Sequence, residues 1–60
     1  MIDTPEYWNA RAIEAWTIAE ALTNHDTKRI MHEVAKGYEL LARRAGERER
    51  QHAEHGREGK

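Results

Sequence analysis

Cysteine and serine are both missing from this 60-residue chain. Without cysteine, neither a disulfide nor a thiolate metal site can form, and the composition fits a reducing compartment. The chain offers few candidate nucleophiles for a catalytic triad, because threonine supplies all the aliphatic hydroxyl groups. We therefore expect no enzymatic activity, no catalytic residues and no cofactor. The threonines are Thr4, Thr17, Thr23 and Thr27.

Long apolar runs are absent as well. No stretch approaches the roughly 20 apolar residues that a helix needs to cross a bilayer. The first residues are acidic at Asp3 and Glu6, and no apolar segment follows them, which argues against a secretory signal. We expect a soluble, cytoplasmic protein without membrane contact.

The chain is also too short to bury a large core. A single core in a chain below roughly 70 residues rarely supplies more than about 3–5 kcal/mol of stability. Natural chains of this size add disulfides, a metal or a partner. Self-association is the remedy that this composition leaves, so we expect a homo-oligomer, with a dimer favoured.

Two apolar stripes at helical spacing form the strongest pattern in the sequence. Both repeat at intervals of three and four residues, which is typical of one face of an α-helix. A polar break near Thr23 separates the stripes, and so short a connection makes two helices antiparallel neighbours. The stripes are Trp8, Ala12, Ala15, Ala19 and Leu22, then Met31, Val34, Tyr38, Leu41 and Ala45.

The pattern therefore predicts an all-α antiparallel two-helix hairpin that dimerises into a four-helix bundle. Folding at the break pairs the stripes, with a large side chain facing a small one in four of five layers, as in a coiled-coil seam. The predicted layers are Trp8 with Ala45, Ala12 with Leu41, Ala15 with Tyr38, Ala19 with Val34, and Leu22 with Met31.

Capping residues indicate where the first helix begins. Residues 1–3 are expected to be loose. Thr4 is a good N-cap, and Pro5 suits the first helical position, where its missing N–H costs nothing. The hairpin is thus predicted over residues 4–46, with its first helix over residues 5–22.

The turn is predicted at residues 23–24, and the second helix over residues 25–45. Asn24 is the expected N-cap of this helix, and Asp26 is the alternative. Gly46 offers a stop signal at the other end.

A polar tail follows over residues 47–60. It has almost no apolar content and contains further glycines. Some helix could persist through Ala53 by Glu–Arg pairing, but a frayed or disordered tail is the favoured interpretation.

Charge is distributed unequally between the two predicted helices. Residues 1–27 carry one Arg against five acidic residues, and residues 28–50 carry seven Lys or Arg against four Glu. An acidic helix beside a basic one favours antiparallel pairing, within a chain or between chains.

Four larger apolar residues lie outside the predicted seam and would be partly exposed on a lone hairpin. Clustered exposed apolar groups usually mark an interface, and tryptophan is enriched at binding hot spots. We interpret this surface as a site of self-association, with binding of another protein as the alternative. The function expected is a non-catalytic protein–protein interaction module or an accessory subunit of a larger assembly. The candidate interface residues are Ile13, Trp16, Ile30 and Leu40.

A nucleic-acid-binding regulator is a second alternative, based on a basic patch between Arg43 and Arg50. Two glutamates interrupt this patch, and no aromatic residue is interleaved with it. A solvated, salt-bridged helix end explains it better, so a nucleic-acid partner is not expected. The patch consists of Arg43, Arg44, Arg48 and Arg50, interrupted by Glu47 and Glu49.

Divalent-metal binding is a third alternative. His52 and His55 are three residues apart and would share one face of a helix. The spacing is unspecific and the surroundings are polar, so we assign no metal site.

The helical segments resemble a group of very short helical proteins that are predicted in large numbers in α-proteobacteria, above all in rhizobia and their relatives. The similarity covers residues 6–48. Members of the group often have an acidic-Pro-Glu turn where this chain has Asn24-His25-Asp26. The group has no established activity, so the resemblance implies a hairpin in a bacterial cytoplasm and no site residues. It is carried by Trp8, Arg11-Ala12, Glu14-Ala15, Ala19-Glu20, Lys28-Arg29-Ile30-Met31, Ala35, Gly37-Tyr38 and Leu41-Ala42.

Overall fold

A computed structural model describes residues 3–58, with side chains described through residue 53. Within that range the chain forms two helices and no strand: α1 is Pro5–Ala21 and α2 is His25–Glu58. The two helices pack against each other in a body of 55 × 15 × 14 Å. The predicted all-α two-helix hairpin is confirmed. Neither helix within residues 3–58 is both long and apolar enough to traverse a membrane.

The start of α1 is fixed by Thr4. Its backbone is extended, and its Oγ1 accepts a hydrogen bond from the N–H of Tyr7 at 3.1 Å. Pro5 occupies the first turn and Glu6 places a negative charge near the positive end of the helix dipole. The hydrogen bond from Tyr7 to Thr4 satisfies one of the N–H groups that the first turn of a helix leaves unpaired.

Hydrogen bonds at the turn stabilise the end of α1 and the start of α2. Leu22 is extended and donates its N–H to the carbonyl of Ala19 at 3.2 Å, which ends α1. Asn24 Oδ1 accepts from the N–H of Thr27 at 3.0 Å and so caps α2. Lys28 Nζ donates to the free carbonyl of Leu22 at 3.4 Å. The polar residues of this break therefore satisfy backbone groups that both helix ends leave open.

The second helix does not stop at Gly46 but continues to Glu58. No described glycine has a positive φ, so Gly46 lacks the left-handed conformation that ends many helices. Glu, Arg and Gln dominate residues 47–51 and are good helix formers, so together they outweigh one glycine, which costs about 1 kcal/mol. The polar tail is thus helical through the described residues.

The seam between the helices is made of alanine. Among residues 3–53, whose side chains are described, six are buried, three from each helix, and none has a side chain larger than a methyl group. Val34 and Leu41, which the predicted seam includes, are 40% and 38% exposed. The neighbouring Ala35 and Ala42 are buried in their place, which corrects the second stripe. The buried residues are Ala12, Ala15, Ala19, Ala35, Ala42 and Ala45.

Large aromatic side chains pack along the edges of the seam. Trp8 stacks on Tyr38, a contact that the predicted layers do not include. At the end of the hairpin opposite the turn, Gly46 lies beside Pro5, since a Cβ added to it would be 3.8 Å from Pro5 Cγ. Alanine on both helices permits a close approach of the helix axes and leaves the larger rings at the edges.

Because α1 begins level with Gly46, the last part of α2 extends beyond it. The residues after Gly46 correspond to about 18 Å of helix at 1.5 Å per residue. The cross-helix ion pair from Arg48 Nη2 to Asp3 Oδ2 lies at the base of this extension. The hairpin thus has one compact part and one projecting polar helix.

Candidate interaction surface

The outer surface of the hairpin carries six large apolar side chains that are each more than one-third exposed. Among the described residues, only alanines are buried, so the larger apolar side chains remain on the surface. Exposed apolar groups that form one patch usually mark an interface, so their arrangement decides what they can do. They are Ile13 (65%), Ile18 (49%), Ile30 (60%), Val34 (40%), Leu40 (37%) and Leu41 (38%).

Four of these residues lie on one side of the hairpin. On α2, the stripe formed by Ile30, Val34, Gly37 and Leu41 repeats at intervals of four, three and four residues. This spacing places the four residues within about 60° of one another around the helix. On α1, Ile18 joins this side, because it lines a shallow groove of about 190 Å³ together with Val34, Met31 and Tyr38. We call this surface the apolar face and define it as Ile18, Ile30, Val34, Gly37 and Leu41.

The edge of the apolar face on α1 is polar but internally paired. Arg11 donates from Nη2 to Glu14 Oε2, and its guanidinium carbon lies 5.3 Å from the centre of the Tyr7 ring. Arg11 and Glu14 both line the groove beside Ile18. The charges of Arg11 and Glu14 therefore offset each other, and the net charge of α1 comes from its other glutamates.

Trp16 lies on the other side of the hairpin and contacts α2. Its Nε1 donates to Glu39 Oε2 at 2.7 Å, and its ring centroid is 5.0 Å from that of His32. These contacts span the two helices, so Trp16 belongs to the edge of the intramolecular seam. Trp16, predicted to lie outside the seam, instead packs at its edge.

The remaining candidate interface residues do not form one patch. Ile30 belongs to the apolar face. Ile13 lies about 140° around α1 from Ile18, and Leu40 lies about 120° around α2 from Val34. Ile13 and Leu40 are therefore isolated apolar groups, which are common on protein surfaces.

The four arginines of the basic patch point to two different sides of α2. Arg43 and Arg50 are about 20° apart around the helix, and Arg44 and Arg48 are about 40° apart. Members of different pairs are separated by about 100–160° around the helix, and Arg48 is already paired with Asp3. This arrangement offers two pairs of charges and not one continuous basic surface.

The structure describes the side chain of one of the two histidines considered as metal ligands. His52 is exposed, and the side chain of His55 lies outside the described residues. Within the described part, no three His, Cys, Asp or Glu side chains gather in a way that could hold a metal ion. Among the described side chains, the open concavity of about 630 Å³ beside His52 is lined by residues of α2 between Arg48 and Ala53.

Sequence reasoning missed the apolar face because α2 carries two overlapping stripes. Val34 and Leu41 repeat at seven residues, and so do Ala35 and Ala42. Because Val34 and Leu41 are more hydrophobic than Ala35 and Ala42, the sequence pattern assigns them to the seam. With Val34 in the seam, no exposed apolar residue of α2 is predicted beside Ile18. The signal available was the alanine content of α1, which favours a narrow seam against small residues.

Comparison with known proteins gives no relative: no protein-family model matches the chain, and no curated protein or solved structure matches it either.

Proposed function

We propose that this chain is a small non-catalytic protein–protein interaction module, a helical hairpin that self-associates. A dimer that forms a four-helix bundle is the favoured assembly. One observation carries the proposal: all six buried residues are alanines, and six larger apolar side chains stay exposed among the described residues. The chain has apolar surface to bury and does not bury it alone.

The energetic argument concerns the size of the buried groups. Burying one methylene-sized group contributes about 0.8 kcal/mol, compared with about 1.5–3 kcal/mol for a whole Val, Leu or Ile side chain. An alanine seam is therefore a weak source of stability for a chain that must order two helices. A second copy adds the missing apolar layer, and its binding stabilises the folded state by mass action.

The setting proposed is the bacterial cytoplasm, by the resemblance to the short helical proteins of α-proteobacteria. A role as an accessory subunit is compatible with self-association, since a homodimer leaves the projecting end of α2 and the Trp16 side available to another protein.

The solution mass of the full chain tests the proposal. Light scattering on a sizing column should give a mass twice the 7.0 kDa of the chain, and the mass should fall on dilution. The melting temperature followed by circular dichroism should rise with protein concentration, as linkage requires. A folded species of 7.0 kDa with a melting temperature independent of concentration would overturn the proposal.

A further inference from the structure

On the basis of the proposed self-association, we infer that a second copy of this chain docks on the apolar face, with α1 of each copy lying against α2 of the other. The inference adds the surface and the orientation to the proposed function.

The apolar face is the one surface of the described chain where both helices contribute exposed apolar side chains next to each other. Ile18 and Val34 line one groove between the helices. Ile30 and Leu41 are exposed on the same side of α2 as Val34. A partner that covers this groove buries residues from both helices at once. Ile13 and Leu40 offer no comparable area, because each stands alone on its helix.

Gly37 supplies an independent indication that a helix approaches this face. It lies within α2, between Val34 and Leu41, and a Cβ added there would meet no atom within 4 Å. Nothing in the hairpin itself needs a glycine at this position, and alanine would favour the helix. A missing side chain in the middle of an apolar stripe allows the backbone of a partner helix to come close.

Charge selects the orientation. Two hairpins that meet through the same face can be related by a two-fold axis along the helices or across them. The first arrangement places α1 beside the partner's α2, and the second places like helices together. α1 carries three glutamates against one arginine, whereas residues 25–46 of α2, the part beside α1, carry five Lys or Arg against three acidic residues. The first arrangement therefore brings helices of opposite net charge together.

The same arrangement aligns apolar residues at one height. In the hairpin, Leu22 contacts Lys28 at one end and Pro5 lies beside Gly46 at the other. Ile18 is therefore level with the turn of α2 that runs from Ile30 to Val34. An axis along the helices keeps these heights, so Ile18 of each copy reaches that turn of the other.

Three substitutions test the surface. Val34→Glu and Ile18→Glu should each raise the dimer dissociation constant at least about 30-fold, because they place a charge in a desolvated contact. Ile13→Glu is the matched control, since Ile13 is more exposed than either and lies off the face; its dissociation constant should stay within about threefold of the unmodified chain. Sedimentation equilibrium gives the constants, and circular dichroism checks that each variant is helical.

Gly37→Leu is a second test that does not introduce a charge. It favours the helix and should nevertheless weaken the dimer at least about tenfold, because the added side chain occupies the space of the partner. A dimer that is unchanged or tighter would overturn the role of Gly37.

The absence of cysteine makes the orientation directly testable. Single-cysteine variants Ile18→Cys and Val34→Cys are oxidised alone and as an equimolar mixture. The mixture should give the cross-linked dimer of the two different variants as the main product. Efficient cross-linking of each variant with itself, and none between them, would show that like helices pair and would overturn the orientation.

The outcomes separate this inference from the proposed function. A monomeric unmodified chain overturns both. A dimer that resists Val34→Glu and Ile18→Glu but dissociates with Ile13→Glu keeps the self-association and overturns the apolar face.

Discussion

The indole ring of Trp8 stacks on the phenol ring of Tyr38, with centroids 5.8 Å apart and 23° between the ring planes. Tyr7 meets the same indole edge-on at 4.9 Å, and Trp8 Nε1 donates to Asp3 Oδ1. Of these contacts, the Trp8–Tyr38 stack joins the start of α1 to the middle of α2.

A double-mutant cycle with Trp8→Leu and Tyr38→Leu should detect this pair. Leucine keeps apolar volume but removes the ring-on-ring contact, so we expect a coupling free energy of about 0.5–1.5 kcal/mol in unfolding. Urea unfolding at one fixed protein concentration measures it.

The control cycle combines Tyr38→Leu with Trp16→Leu. Trp16 contacts His32 and Glu39, so its coupling to Tyr38 should be close to zero. Equal coupling in the two cycles would contradict a specific interaction between Trp8 and Tyr38.

The helical hairpin could be predicted from the sequence, but only some of the residues that α2 buries in the seam could be predicted. Spacing at three and four residues identifies helices reliably, and the capping roles of Thr4 and Asn24 follow from their side-chain oxygens. The choice between Val34 and Ala35 for the seam depends on how closely the helix axes approach. That distance comes from packing of both helices together, which a hydrophobic pattern along one helix does not contain.

Ala15→Leu should destabilise the hairpin by overpacking. Ala15 is 3% exposed and lies in the middle of the alanine seam, so the larger side chain forces the helices apart at a cost of about 1–3 kcal/mol. Thermal unfolding followed by circular dichroism measures the effect.

Ala10→Leu is the matched control for this substitution. Ala10 is exposed on the same helix, so its replacement should change stability by no more than about 0.5 kcal/mol. If Ala15→Leu is as well tolerated as Ala10→Leu, the close alanine seam is wrong.

Asn24→Ala should destabilise α2 at its start. The lost Oδ1 accepts from both the N–H and the Oγ1 of Thr27, and removing an N-cap of this type costs about 0.5–2 kcal/mol. Asn24→Asp keeps the acceptor and adds a negative charge near the helix N-terminus, so it should retain stability. Chemical denaturation of both variants, with the exposed Thr23→Ala as control, makes the comparison. An equal loss of unfolding free energy in both variants would mean that the side-chain oxygen acceptor at this position does not stabilise α2.

Of the candidate surface, the sequence indicated the need for an interface but not its location. A short chain with small seam residues and surplus Ile and Trp points to association. Only the rotation of α2 in the seam decides that Val34 and Leu41 are exposed, that Val34 lies beside Ile18, and that Trp16 contacts Glu39. A rotation of one residue position moves a side chain by about 100°, so a small packing change reassigns the whole surface.

Gly46→Ala should stabilise the protein, and the sign of its effect distinguishes two structures of α2. If Gly46 lies inside a continuous helix, as observed, alanine adds about 0.5–1 kcal/mol. The added Cβ would meet Pro5 Cγ at 3.8 Å, which is an ordinary contact. If Gly46 ended the helix in a left-handed conformation, alanine would be strained there and would destabilise the protein. Helicity and melting temperature from circular dichroism should therefore both rise, and a fall in both would restore the helix end at Gly46.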